Sequence, residues 1–127
     1  MFSHIMVGAN DLDKARKFYD ATLGVLGVPA PFMDGHRFFY RTKTGVFGVT
    51  KPIDGKGATH ANGGTIGFAC ASAEQVDAWH KAGLENGGTT CENPPGVRQG
   101  STGKLHLAYL RDPDGNKLCA MYRYPKE

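Results

Sequence analysis

No stretch of the sequence approaches the ~18–20 consecutive apolar residues that a bilayer-crossing helix needs, so a helical membrane protein is excluded. Cysteine is scarce: Cys70, Cys91 and Cys119 are an odd set with no CxxC spacing. That argues against a disulfide scaffold and for a reducing, cytoplasmic home. No cluster of basic residues and no nucleic-acid motif occurs. The 15 Lys and Arg are interspersed with 12 Asp and Glu, for a net charge of +3, and nucleic acid is not expected as a partner. The opening Met1-Phe2-Ser3-His4 lacks the basic flank and apolar core of a secretory leader. What is present is ordinary globular composition: 127 residues, 40% hydrophobic, with 18 Gly and 7 Pro to supply turns. Such a chain suits one domain.

Two helices are legible from apolar periodicity. The first follows Asn10-Asp11 and places Leu12, Ala15, Phe18, Tyr19, Thr22 and Leu23 on one face, with Gly24 or Gly27 at its end. The second starts at Ser72, with Gln75 three residues on as a capping box. Ala73, Val76, Trp79 and Gly83 form its apolar face, Gly87-Gly88 end it, and His80 is expected at the surface. Each helix follows a strand-like stretch, Ile5–Ala9 and Ile66–Ala71, and precedes further ones. In the first half these are Phe32–Met33, Arg37–Arg41 and Val46–Thr50; in the second, Thr89–Glu92, Leu105–Leu110 and Lys117–Tyr124. A shift of 61 positions aligns His4 with Thr65, Phe18 with Trp79 and Leu23 with Leu84. The pattern is an internal βαβββ repeat, with module 1 at about 1–51, a Gly- and Pro-containing linker at 52–62, and module 2 at about 63–127. Its fold class is α+β: helices cover one face of a curved mixed sheet and leave a cavity on the other.

The turn Asp112-Pro113-Asp114-Gly115 sets the closing hairpin. Pairing Arg111 with Asn116 predicts Leu110 opposite Lys117, Ala108 opposite Cys119 and His106 opposite Met121, all on the cavity side. Period-two alternation adds His4, Met6 and Gly8 from the first strand and Thr65, Gly67 and Ala69 from the fifth. The free face is thus expected to carry His4, Met6, Thr65, His106, Cys119 and Met121 among small residues. Phe38, Phe39, Tyr40 and Phe47 are available as aromatic walls. The segment Pro94–Lys104 fails the phosphate-loop pattern, because Arg98 stands at the required first Gly and Leu105 at the Ser/Thr place. It is expected to be a flexible loop at the cavity mouth, with Arg98 and Lys104 able to meet an anionic ligand.

The runs His4-Ile-Met-Val-Gly-Ala-Asn-Asp-Leu12 with Arg16-Lys-Phe-Tyr19, and Leu110-Arg-Asp-Pro-Asp-Gly-Asn-Lys-Leu118, resemble the opening strand–helix and the closing hairpin of the vicinal oxygen chelate superfamily. That group includes glyoxalase I, extradiol dioxygenases, thiol transferases of fosfomycin resistance and bleomycin-resistance proteins. The resemblance covers essentially the whole chain and implies four cavity-facing metal-ligand positions. These fall on His4, on Gly48 or Val49, on Thr65 and on Cys119. Only His4 keeps a family ligand, so no metal or other cofactor is expected. A divalent metal remains possible if His106 joins His4 and Cys119 in a rebuilt set, because a catalytic site needs about three protein ligands.

The same residues have plainer readings. His106 reads as a satisfied strand histidine, Cys119 as a space-filling thiol and Met121 as pocket wall. Two function classes follow. One is a homodimeric protein that binds a small molecule in the sheet cavity, through His4, Met6, Thr65, Arg98, His106, Cys119 and Met121. The other is a metal-dependent lyase, isomerase or thiol transferase whose catalytic candidates are His4, His106 and Cys119.

Overall fold

The computed structural model describes residues 1–126. The first half forms β1 (His4–Gly8), α1 (Leu12–Val25), β2 (Phe32–Asp34), β3 (Arg37–Thr42) and β4 (Gly45–Thr50). The second forms β5 (Ile66–Ala69), α2 (Ala73–Glu85), β6 (Thr89–Thr90), β7 (Gly96–Gly100), β8 (Gly103–Arg111) and β9 (Lys117–Arg123). The first sheet has the order β1-β4-β3-β2. The second runs β5-β9-β8-β6, with β7 also on β8. In each sheet the first strand pairs in parallel with the last, β1 with β4 and β5 with β9, and the other pairings are antiparallel. The α+β class and the mixed sheets follow the sequence reading, without a closed barrel.

Local chemistry fixes both helices. The Asp11 carboxylate accepts from the Lys14 backbone N–H at 3.1 Å and caps α1. After Val25 the chain reverses at Gly27, whose φ of +79° is the left-handed conformation glycine adopts freely. Ser72 caps α2 by accepting from the Gln75 N–H at 3.1 Å. The Gln75 side chain accepts from the Ala71 N–H and donates to the Val25 carbonyl. One amide therefore joins the start of α2 to the end of α1.

A single apolar cluster spans both halves. Phe18 and Tyr19 of α1, Val76 and Trp79 of α2, Phe38 and Val49 of the first sheet, and Leu110 and Leu118 of the second are all fully buried within it. The helices approach closely where glycine allows it. A Cβ on Gly83 would stand 2.3 Å from Leu110 Cδ1 and 3.2 Å from the Phe18 ring. His80, expected at the surface, is instead 9% exposed and hydrogen-bonded through Nε2 to Thr90 Oγ1 at 2.9 Å. Its place beside Trp79 on the buried face of α2 is occupied because Thr90 supplies a polar partner. Burial lowers its pKa, against a smaller opposing pull from Asp77.

Three further expectations change. The segment expected as a flexible loop forms β7, which pairs along β8 from Gly96↔Leu107 to Gly100↔Gly103. The strand expected over Thr89–Glu92 is reduced to Thr89–Thr90. The β8–β9 register is offset by one residue: Arg111 pairs with Lys117, Tyr109 with Cys119 and Leu107 with Met121. The reason lies in the turn. Asp112 N–H donates to the Asn116 carbonyl at 3.0 Å, and Gly115 takes φ +89°. This leaves the three-residue connection Pro113-Asp114-Gly115, with its left-handed last residue, in place of a four-residue one. The Asp112 carboxylate fastens it, accepting from the backbone N–H of Asp114 and of Asn116 at 2.9 Å each. A one-residue offset turns every side chain of β8 to the other face.

Candidate functional site

Each sheet has one face against the helices and one face open. On the second sheet, the pairings place Gly67, Cys119 and Tyr109 in one transverse row, and Ala69, Met121 and Leu107 in the next. Beyond these, Leu105 pairs with both Arg123 and Arg98. At the near end, Arg111 stands opposite Lys117. Gly67 has no heavy atom within 4 Å of the position a Cβ would take, so the floor beside Cys119 is uncovered. Cys119 itself is 8% exposed.

The electrostatics of this row favour neutral groups at its centre. Burial pushes the Cys119 thiol up; hydrogen bonding from Tyr109 acts the other way, as do the charges of Lys117 and Arg98, while Glu92 adds to the rise. The Tyr109 phenol is raised as well, first by burial and then by Cys119 and Glu92. A raised thiol is a poor nucleophile at neutral pH, because thiolate is the reactive form. Cys119 is therefore suited to lining a cavity. Around it, Lys117 ion-pairs with Glu92 and lies over the Tyr109 ring, with Nζ 5.1 Å from the centroid.

The open face of the first sheet carries His4, Met6, Phe39, Arg37 and Arg41. Met6 and Phe39 close over Gly48, where an added Cβ would fall 2.2 Å from Met6 Sδ. The edge forms a continuous stack. Arg37 lies over Phe39 at 5.3 Å, Phe39 stacks on Phe32 at 5.3 Å between centroids, and Arg41 lies over Phe32 at 5.0 Å. Each cation faces a ring quadrupole.

The sequence-selected residues divide accordingly. Cys119 and Met121 share the open face of the second sheet with Gly67, and Arg98 stands at its far end, donating to the Asn93 and Pro94 carbonyls. Thr65 is exposed just before β5. His4 and Met6 lie on the open face of the first sheet, and His4 Nδ1 is 2.8 Å from Ser3 Oγ. His106 is on the helix-facing side of β8. Its Nε2 is 2.9 Å from Asp77 Oδ1 on α2, and its Nδ1 is 3.2 Å from the Tyr124 hydroxyl. The predicted trio His4, His106 and Cys119 is thus divided, because the offset register sends His106 to the opposite side of the sheet from Cys119. Of the four expected aromatic walls, only Phe39 faces outward; Phe38, Tyr40 and Phe47 are buried in the core. Tyr109, Leu107, Arg111 and Lys117 take the places sequence reasoning missed. The signal was Gly115, which favours the three-residue connection.

The positions that the resemblance implies for metal ligands do not supply a matching set of side chains. Gly48 has no side-chain donor, and the room a carboxylate would need there is filled by Met6 and Phe39. Val49 is fully buried and points into the core. Among the described residues, no three of His, Cys, Asp and Glu gather as a metal-binding group.

A βαβββ half beside a second half with one strand more, parallel first and last strands in each sheet, and one helix behind each sheet define a glyoxalase-type fold. The chain belongs to the Glyoxalase/Bleomycin resistance protein/Dioxygenase superfamily, whose family model matches residues 1–120. It is similar to a glyoxalase/bleomycin resistance protein from Albidiferax ferrireducens T118, with 62% identity, a TM-score of 0.95, and 97% of this chain and 99% of that one covered. It shares its fold with a glyoxalase-related enzyme from Fulvimarina pelagi at 18% identity and TM-score 0.74, over 97% of this chain and 88% of that one. The fold also recurs in a lactoylglutathione lyase from Agrobacterium tumefaciens, at 20% identity and TM-score 0.66, over 95% and 92%. No curated protein matches the chain in sequence.

Proposed function

We propose that this protein binds a small organic molecule on the open sheet face and does so without a metal ion. The observation that carries the reading is the uncovered floor above Gly67, beside the buried Cys119 thiol and the Tyr109 ring. Apolar contact comes from Cys119, Met121, Leu107 and Ala69. Arg98 and Thr65 stand at the two ends, and His4 and Met6 contribute the first sheet's share. An apolar floor with a few polar groups at its margin is the composition of ligand sites in general. Three free cysteines support a reducing, cytoplasmic setting. The family's habit of pairing modules across a two-fold supports a homodimer, to be checked by light scattering. A rebuilt metal centre for lyase, isomerase or transferase chemistry is less favoured, because His106 lies behind the sheet that carries Cys119.

The test is a thermal-shift screen of small organic compounds on the wild-type protein and on Gly67→Leu. Open space above Gly67 lets the new side chain in without a clash, so the variant keeps its own Tm and loses the shifts. Equal shifts in both proteins overturn the reading. Metal analysis of the purified protein completes it: about one tightly held zinc, nickel, manganese or iron per chain overturns the metal-free part.

A further inference from the structure

At the near end of the open face, the linker closes over the β8–β9 hairpin and leaves a pocket of about 190 Å³. Its walls include His60, Asn62, Gly63, Thr65, Arg111 and Lys117. We propose that this pocket is an oxyanion subsite, holding the phosphate or carboxylate head of the small molecule whose body lies against Gly67 and Cys119. The proposal rests on the binding reading above and names the class of ligand: an organic anion with an apolar body.

Alternation along the strands gives the continuity. Arg111 and Tyr109 share one face of β8, Lys117 and Cys119 one face of β9, and Thr65 and Gly67 one side of the β5 chain. The pocket is therefore the polar end of the same surface. Two cationic side chains converge on it. Arg111 gives one nitrogen, Nη1, to the Gly115 carbonyl at 2.7 Å, which anchors its guanidinium and leaves further donors available. Among the described residues it makes no ion pair. A fixed guanidinium beside an ammonium suits an oxyanion, because charge-assisted donors are the strong ones. The Thr65 hydroxyl, the Asn62 amide and the imidazole of His60 add further hydrogen-bonding groups.

One acid stands against this set. Glu92 pairs with Lys117, and its side chain is 46% exposed. Glu92 is also the one non-glycine residue among those described with a left-handed backbone, at φ 58°. Such a conformation is unfavourable for a side-chain-bearing residue and persists where other contacts hold it. Glu92 thus serves as a resident counter-ion on Lys117, and an incoming oxyanion competes with it for the ammonium.

The experiment is titration of the full chain with inorganic phosphate and, separately, with acetate, followed by amide shifts in two-dimensional NMR. Saturable shifts are expected at Gly63, Gly64 and Thr65, weakening as sodium chloride is raised. Arg111→Met and Lys117→Met should each weaken the better-bound anion by about tenfold, and Glu92→Gln should tighten it by about threefold. Arg111→Met removes the anchor to Gly115 and is vulnerable to misfolding. Lys117→Met and the gain in Glu92→Gln keep the test decisive. The tighter of the two anions identifies the head group. The proposal is overturned if neither anion saturates, if shifts spread over exposed lysines and arginines, or if Glu92→Gln and Lys117→Met leave affinity unchanged. Anion binding in the pocket with organic shifts that survive Gly67→Leu would sink the binding reading alone. Loss of those shifts in Gly67→Leu with no anion binding would sink this subsite alone.

Discussion

Arg111 sits directly opposite Lys117 where β8 meets β9, and this pairing decides which side chains of β8 look outward. It brings two cations to one end of the open face and Tyr109 beside Cys119. It also sends His106 back to α2. The pairing depends on Gly115, whose φ of +89° closes the three-residue connection. Gly115→Ala forces a side chain into that conformation and sets its Cβ 3.0 Å from His60 Nδ1. The expected loss is about 1–2 kcal/mol, read as a lower urea midpoint at unchanged slope. An unchanged midpoint would show that the turn does not need its glycine.

Tyr19 and Asp112 tie the same hairpin to α1. The Tyr19 hydroxyl donates to Asp112 Oδ2 at 2.5 Å in a buried setting, and the Asn116 side chain donates to the same oxygen. Removing one donor to a charged acceptor costs about 2 kcal/mol. Tyr19→Phe should show that loss in urea unfolding at neutral pH.

Stability should also fall on the alkaline side. Burial, then Asp112, raises the Tyr19 pKa; burial, then the hydrogen bond to Asp20, raises Tyr40; burial pushes the Cys70 thiol up to about 11. In each case the native state favours the protonated form. That contribution is complete below the unfolded-state pKa and is lost as pH rises through the folded one. The window opens at about pH 9 for the thiol and about pH 10 for the phenols. Urea midpoints should be level from about pH 7 to 8.5 and then decline, more shallowly in Tyr19→Phe. A decline of equal steepness in that variant would remove Tyr19 from the account.

Thr22 carries a buried hydroxyl with no hydrogen-bond partner on the inner face of α1. Its desolvation is uncompensated, and valine has nearly the same shape. Thr22→Val should therefore raise stability, by about 1 kcal/mol, with a higher Tm and unchanged ligand shifts. A lower Tm would mean that the hydroxyl finds a partner in solution.

His106 offers a direct comparison with Tyr109, three positions further along β8 and on its other face. His106→Gln should leave ligand-induced thermal shifts intact, because the imidazole bonds Asp77 and Tyr124 away from the open face. Tyr109→Ala should reduce them by several-fold, by removing the ring that lies under Lys117. The reverse pattern would place the ligand on the other side of the sheet.

Local rules that act over a few residues were legible in the sequence. The 3.6-residue period exposed both helices, Asn10-Asp11 and Ser72 marked their starts, with Asp11 the actual cap of the first, and alternation placed His4, Met6, Cys119 and Met121 on the open side of their strands. Errors arose where two local solutions compete. Asp-Pro-Asp-Gly can form connections of either length; Gly115 in its left-handed conformation suits the three-residue one, and Tyr19, 93 positions from Asp112, holds the carboxylate that fastens it. The β7 segment, Gly-Val-Arg-Gln-Gly, has little strand propensity, and the adjoining edge of β8 makes it a strand. His80 is buried because Thr90 meets it, a contact no periodicity encodes.

The Gln75 amide bonds both the entry to its own helix and the last turn of the other one. Phe18 of the first half reaches Gly83 and Gly88 of the second, and Phe47 meets Phe68 across the seam at 5.5 Å. A repeated architecture has here given up the independence of its copies. Neither half retains an inner layer once the other departs, so heating should produce one cooperative transition rather than two, and a chain cut within residues 52–62 should leave two fragments that fold only in each other's company.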